Sequence, residues 1–253
     1  MATPGGRDMT DAAAAQQTFD VGWFMYEDLG AFLFIPPRPV GESAPPPLSR
    51  KAVRACPAVR GLEARAFDIL SPYNLDLTVE RSGDRFAFYV APNRTSVDPG
   101  QIGRVVTVNE RHVWRMSDRP VVQVALPYCF VADDDVELTQ IAPLGGARFG
   151  DGIAVIPGRF PIRNWIRPMS LAFEFQRLPG RLTLRRGEAL CTLVFDGPAP
   201  AALPRLVRAR KTAEVTTFMQ GCVGVTSRIS DTSSAMARAE AARPPKLLEA
   251  IDD

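Results

Sequence analysis

Between positions 148 and 186 the chain carries Arg148, Arg159, Arg163, Arg167, Arg177, Arg181, Arg185 and Arg186 against only Asp151 and Glu174, with Glu188 just beyond. Phe160, Trp165, Phe173 and Phe175 are interleaved with them. Guanidinium forks grip carboxylates and phosphates in pairs of hydrogen bonds, and ring faces attract cations, so this composition suits an anion site. Within Pro157–Pro168, Pro157, Pro161 and Pro168 remove backbone donors, which predicts a fixed, irregular loop rather than a strand. Arg159, Phe160, Arg163, Trp165 and Arg167 are therefore the candidate ligand-binding residues. A second reading, an arginine-studded surface with its rings turned inward, uses the same residues, and only their spatial arrangement separates the two.

Glu174 is the one carboxylate near that loop that could act as an acid or base, although the alternation of Leu171, Phe173 and Phe175 also suits an ordinary exposed strand residue there. His112 is the single histidine. One histidine cannot supply a facial triad, a histidine-rich metal site or a H-E-x-x-H zinc centre. It lies between Arg111 and Arg115 and reads as a surface strand residue. No phosphate-binding P-loop, dinucleotide fingerprint or nucleophile elbow occurs. The run Gly145–Gly152, with Arg148, could turn backbone N–H groups toward an anion or serve as a plain loop. Asp133, Asp134, Asp135 and Glu137 have the oxygen chemistry of a magnesium or calcium site but read as an acidic, solvated turn. Cys56, Cys129, Cys191 and Cys222 are widely separated with no C-x-x-C pair, as expected of reduced thiols in a cytoplasmic protein. No metal and no cofactor is expected.

Positioning these groups falls to strands. The 253 residues are 46% hydrophobic and include 23 prolines, which favours short strands and turns over long helices. Leu75, Leu77 and Val79 alternate with polar neighbours, Ser82-Gly83-Asp84 makes a turn, and Phe86, Phe88 and Val90 alternate again, which is a hairpin. Further strands are predicted at Arg104–Asn109, Arg111–Met116, Val121–Leu126, Val136–Ile141, Ile153–Ile156, Ser170–Gln176, Leu182–Arg185 and Ala189–Phe195. Such spacing implies a mainly β chain, a sandwich or a barrel, with one or two C-terminal helices. One helix is predicted from Pro204 in its first turn to about Gln220, the other from Thr232 to Ala242 after Asp231 as N-cap.

The organisation follows: a disordered start over residues 1–20, an aromatic segment and proline-rich linker over 21–47, a β-rich core over 48–200 and a helical extension over 201–253. Val21–Ile35 is too short and too often charged to span a membrane. A net charge of +2 creates no field that calls for nucleic acid or an anionic membrane. The expected partner is an anionic small molecule or a protein. A homo-oligomer is a further expectation, because Trp23–Phe34 and the C-terminal helices could pack across subunits.

The succession Cys56-Pro57, FDILSPYNL (Phe67–Leu75), Pro157–Phe175 and LTLRRGEALCTLVF (Leu182–Phe195) resembles an uncharacterised family of bacterial and phage proteins. The likeness covers about Cys56–Pro198 and part of the C-terminal region, and implies no activity. The order of strands and turns in Ile153–Phe195 is similar to the end of the β-clip fold of dUTPases and dCTP deaminases. That superfamily places a catalytic carboxylate in or near the segment corresponding to Val155–Phe160, where this chain has no acid, leaving Glu174 as the nearest substitute. Two functions are thus expected: a β-rich accessory protein that holds an anionic ligand or a partner chain on the Arg/aromatic loop, or, alternatively, an enzyme of nucleotide or small-anion metabolism with a β-clip-like core.

Overall fold

The computed structural model describes residues 17–26, 35–43, 49, 51–146, 149–222 and 231–251. Period-two alternation becomes four sheets that do not close into a barrel. In the first, β1 (Thr18–Met25) lies between β8 (Tyr128–Val131), antiparallel to it, and β15 (Leu203–Arg208), parallel to it. The second runs β10 (Ile153–Ile156), β12 (Ser170–Phe175), β7 (Val121–Ala125), β6 (Val106–Val108). A third, five-stranded sheet orders β11 (Gly158–Pro161), β9 (Glu137–Ile141), β14 (Ala189–Asp196), β3 (Ala66–Leu70) and β2 (Arg38–Pro39). The fourth joins β13 (Gly180–Leu184) to the hairpin of β4 (Leu75–Ser82) and β5 (Arg85–Val90).

Val21 and Trp23, Leu75 and Leu77, Val122 and Val124, Leu171 and Phe173, Leu182 and Leu184, and Leu193 and Phe195 alternate into one shared core. Every sheet contributes to it, so strands of different sheets shield one another's apolar faces from water.

Two short helices, α1 (Pro57–Glu63) and α2 (Ile102–Val105), lie at the edges, and α3 (Ala213–Cys222) and α4 (Thr232–Ala242) follow the strands. Asp231 caps α4, its carboxylate accepting from Ser234 N at 3.1 Å. The structure differs from the predicted helix at Pro204, which sits in β15 opposite Phe19. As an edge strand β15 has one unpaired side, where a missing N–H costs no ladder bond. The predicted strand at Arg111–Met116 is instead a 3-10 turn, Arg111–Val113, followed by irregular chain. Of the predicted N-terminal organisation, residues 1–16, 27–34 and 44–48 lie outside the described residues.

Behind the first sheet a second apolar layer forms: Phe24, Cys129 and Val131 from the strands meet Val215 and Met219 of α3 and Leu247 and Leu248 of the C-terminal segment. Cys129, Cys191 and Cys222 are buried, and burial pushes each thiol above its ordinary value, so none is poised as a thiolate. No helix among the described residues is long and apolar enough to cross a membrane.

One buried carboxylate ties the fourth sheet together. Asp76 on β4 is 1% exposed and receives Nε of Arg181, from the neighbouring strand β13, at 2.7 Å. The hydrogen bond from Arg181 holds the Asp76 carboxyl below the usual carboxylate range. Because the folded value lies below the unfolded value of about 3.9, ionised Asp76 stabilises the fold at neutral pH, and that contribution is lost as pH falls through the depressed value. Asp76→Asn is expected to flatten the acid limb of a urea-midpoint-against-pH profile below about pH 4, while lowering the midpoint at pH 7.

Candidate functional site

The segment from Pro157 to Pro168 begins as a strand, not as irregular loop: Gly158–Pro161 pairs with β9 as the sheet's outermost strand, where Pro161 is tolerated. The chain then turns away from the sheet and runs under the C-terminal helices. This path divides the candidate residues.

Arg159 stays on the sheet edge, exposed, with Glu137 Oε2 at 3.5 Å and Asp196 Oδ2 at 3.7 Å. Phe160, Arg163, Trp165 and Arg167 gather beneath α3 and α4. Trp165 is buried against Cys222 of α3 and Ala235 of α4, with Phe160, Phe218 and Ala239 around them. Arg167 lies over the Phe160 ring, 5.9 Å from its centroid, and burial pulls the guanidinium below its ordinary value. Arg163 donates from Nε to Glu240 Oε1 of α4 at 3.1 Å, approaches Asp135 at 3.4 Å and donates from Nη1 to Asp133 O. Most of the loop's positive charge is therefore met by acids of the same chain. Asn164 Oδ1 and Arg167 Nε are the buried side-chain polar atoms without a hydrogen-bond partner among the described residues. Leaving such an atom unpaired costs about 1–3 kcal/mol, so both mark places where the chain has given up local satisfaction.

Glu174 belongs to a different region. It is 0% exposed on β12, where Ala154 and Val121 are its cross-strand partners. Arg115 donates from Nε to Oε2 at 3.1 Å and from Nη2 to Oε1 at 3.3 Å, and Arg119 lies 3.5 Å from Oε1. These two arginines come from the irregular segment after β6, which is fixed by Trp114: its ring packs edge-on against Phe86 at 5.0 Å and its Nε1 donates to Asn109 O at 2.8 Å. The carboxylate neutralises a lid of cations and presents no exposed oxygen. His112 is exposed on the 3-10 turn, its Nδ1 3.2 Å from Glu110 Oε2.

The predicted solvated turn at Asp133–Asp135 is solvated only in part. Asp133 Oδ1 accepts from Arg243 Nη2 at 2.8 Å and from Leu247 N at 2.8 Å, anchoring the C-terminal segment. Among the described residues no group of three or more histidine, cysteine or acidic side chains could hold a metal ion. Arg148 lies outside the described residues.

What the sequence did not single out is the space between the two helices. A groove of about 600 Å³ runs between α3 and α4, walled by Phe218, Gly221 and Cys222 on one side and Ala235, Ala239 and Ala242 on the other. Glu214 and Arg238 also line it, and neither forms an ion pair among the described residues. The available signal was the spacing of Phe218 to Cys222 and of Ala235 to Ala239, one helical turn each, which places each pair on one face.

No protein-family model matches the chain, and no curated protein matches it. The functional reading rests on the geometry above.

Proposed function

We propose that the protein is a non-catalytic, β-rich accessory module that receives a helix of a partner chain between α3 and α4. The observation that carries this reading is the groove of about 600 Å³, whose alanine and glycine positions let another backbone approach and whose Cys222 and Ala235 pack against the buried Trp165. Its charges define the occupant: an apolar stripe flanked by an acidic residue to meet Arg238 and a basic residue to meet Glu214. The Arg/aromatic loop enters as support behind Cys222 and Ala235 of this groove rather than as an anion clamp, since Arg159 and Arg163 already have acidic neighbours. The alternative, an enzyme of nucleotide or small-anion metabolism, gains no support from Glu174, whose oxygens face Arg115 and Arg119. The β-clip resemblance is kept as an architectural proposal only.

Calorimetric titration with three helical peptides sharing one leucine stripe tests the reading. A peptide flanked by Glu on one side and Lys on the other is expected to bind at least about tenfold tighter than Glu/Glu or Lys/Lys versions, and Ala239→Glu should abolish binding. Equal affinities, or no binding, would refute it. A dimer of the free protein that Ala239→Glu converts to monomer would assign the groove to a second copy and refute the partner-chain version.

A further inference from the structure

A second concavity, of about 360 Å³, is lined by polar and apolar groups alike and carries two arginines. Arg38 on β2 and Arg185, immediately after β13, both line it, as do Thr183, Gly187 and Glu188. Neither Arg38 nor Arg185 forms an ion pair among the described residues. The acid directly across the strand pair from Arg38 is Asp68, but Asp68 instead accepts the hydroxyl of Thr192 at 2.6 Å. Asp76, whose carboxyl feels the field of Arg185, is bonded to Arg181. Two guanidinium groups lining one small cleft with no ion pair among the described residues, and only Glu188 beside them, leave positive charge for an anion to meet.

The cleft is also held rigid. The turn carrying Arg185 to Glu188 is fixed by Gly187 N donating to Ser71 O at 2.8 Å, by Ser71 N donating to Glu188 O at 2.8 Å and by Arg186 N donating to Asn74 Oδ1 at 2.9 Å. Gly187 has φ +82°, a conformation that a side chain would strain, and a Cβ there would meet no atom within 4 Å, so the backbone is open to a ligand. Phe149, packed edge-on against Phe173 at 5.1 Å, provides an apolar wall. Glu188 adds one acceptor beside the two cations.

From this we infer that the cleft is a binding site for a small phosphate monoester that also carries hydroxyl groups, a sugar phosphate in chemical class. The phosphate lies between Arg38 and Arg185, the Thr183 hydroxyl donates to it, and the ligand's own hydroxyls donate to Glu188. The volume, at the small end of the usual range for ligand sites, suits a monosaccharide phosphate. The site does not depend on the helix groove and stands or falls separately.

Titration of the full chain with ribose 5-phosphate, inorganic phosphate and ribose, followed by calorimetry, tests the assignment. Ribose 5-phosphate is expected to bind saturably, inorganic phosphate more weakly and ribose not at all. Arg38→Ala and Arg185→Ala, both at exposed positions, should each weaken ribose 5-phosphate by about tenfold or more, the effect of removing a charge-assisted hydrogen bond. Glu188→Gln should weaken ribose 5-phosphate relative to inorganic phosphate, whose binding gains from the loss of a neighbouring negative charge. Absence of saturable binding, or affinity that survives both arginine substitutions, would overturn the inference.

Discussion

Arg243→Ala is expected to lower stability by about 3–5 kcal/mol and to loosen α4 and the chain beyond it, while the four sheets remain folded. Its side chain is 1% exposed yet serves several acceptors. Nε donates to Arg163 O, Nη1 to Pro244 O and Nη2 to Ala132 O, each at 2.7 Å, and Nη2 also reaches Asp133 Oδ1 at 2.8 Å. One guanidinium thus joins the end of β8, the loop under the helices and the C-terminal segment. Truncating one partner of a buried pair leaves the other charge uncompensated, which is the source of the ~3–5 kcal/mol. Arg243→Lys should rescue little, because an ammonium on a flexible stem cannot match acceptors arranged around a planar fork. Urea unfolding gives the magnitude, and amide exchange gives the location: faster exchange is expected in 232–251 and unchanged exchange in β7, β12 and β14. A loss below 1 kcal/mol would mean that this arginine is not the anchor its contacts indicate.

The second large effect is expected from Trp165→Ala. Removing a buried tryptophan costs about 3–5 kcal/mol through lost transfer energy and the cavity left behind, and here the cavity opens directly under Cys222 and Ala235. Amides of α3 and α4 should exchange faster, and peptide affinity at the groove should fall with them. Arg159→Ala, from the same stretch of sequence, should change stability by less than about 0.5 kcal/mol, because its ion pairs are exposed and long. Similar losses for the two variants, read from urea midpoints, would contradict the division of the loop into an edge strand and a buried support.

That division shows how far the sequence carries. The hairpin around Gly83 and the strands at β7, β9, β10, β12 and β14 were legible because a half-buried strand must alternate and these segments do. Pro204 misled because proline suits both a helix's first turn and an edge strand, and only the neighbour β1 decides between them. Alternation at Arg111–Met116 was local coincidence: the chain there is shaped by Trp114 on Phe86 and by the need of Glu174 for cations. The loop's cations and rings were visible, but not their partners, since Glu240 lies 77 residues from Arg163. The groove was hidden for a compositional reason. Apart from Phe218 and Cys222 its apolar walls are mostly alanine and glycine, which carry little hydrophobic signal, and its two helices make a site only when placed side by side.

The most direct test of the central claim is to bind the Glu/Lys-flanked helical peptide, carrying a nitroxide spin label, to the isotope-labelled full chain and to record amide signal broadening by NMR. Binding between α3 and α4 predicts broadening concentrated at Phe218, Cys222, Ala235 and Ala239, with the strands β3 and β14 unaffected. Broadening spread over the sheets, or none at a peptide concentration that saturates the calorimetric signal, would contradict it.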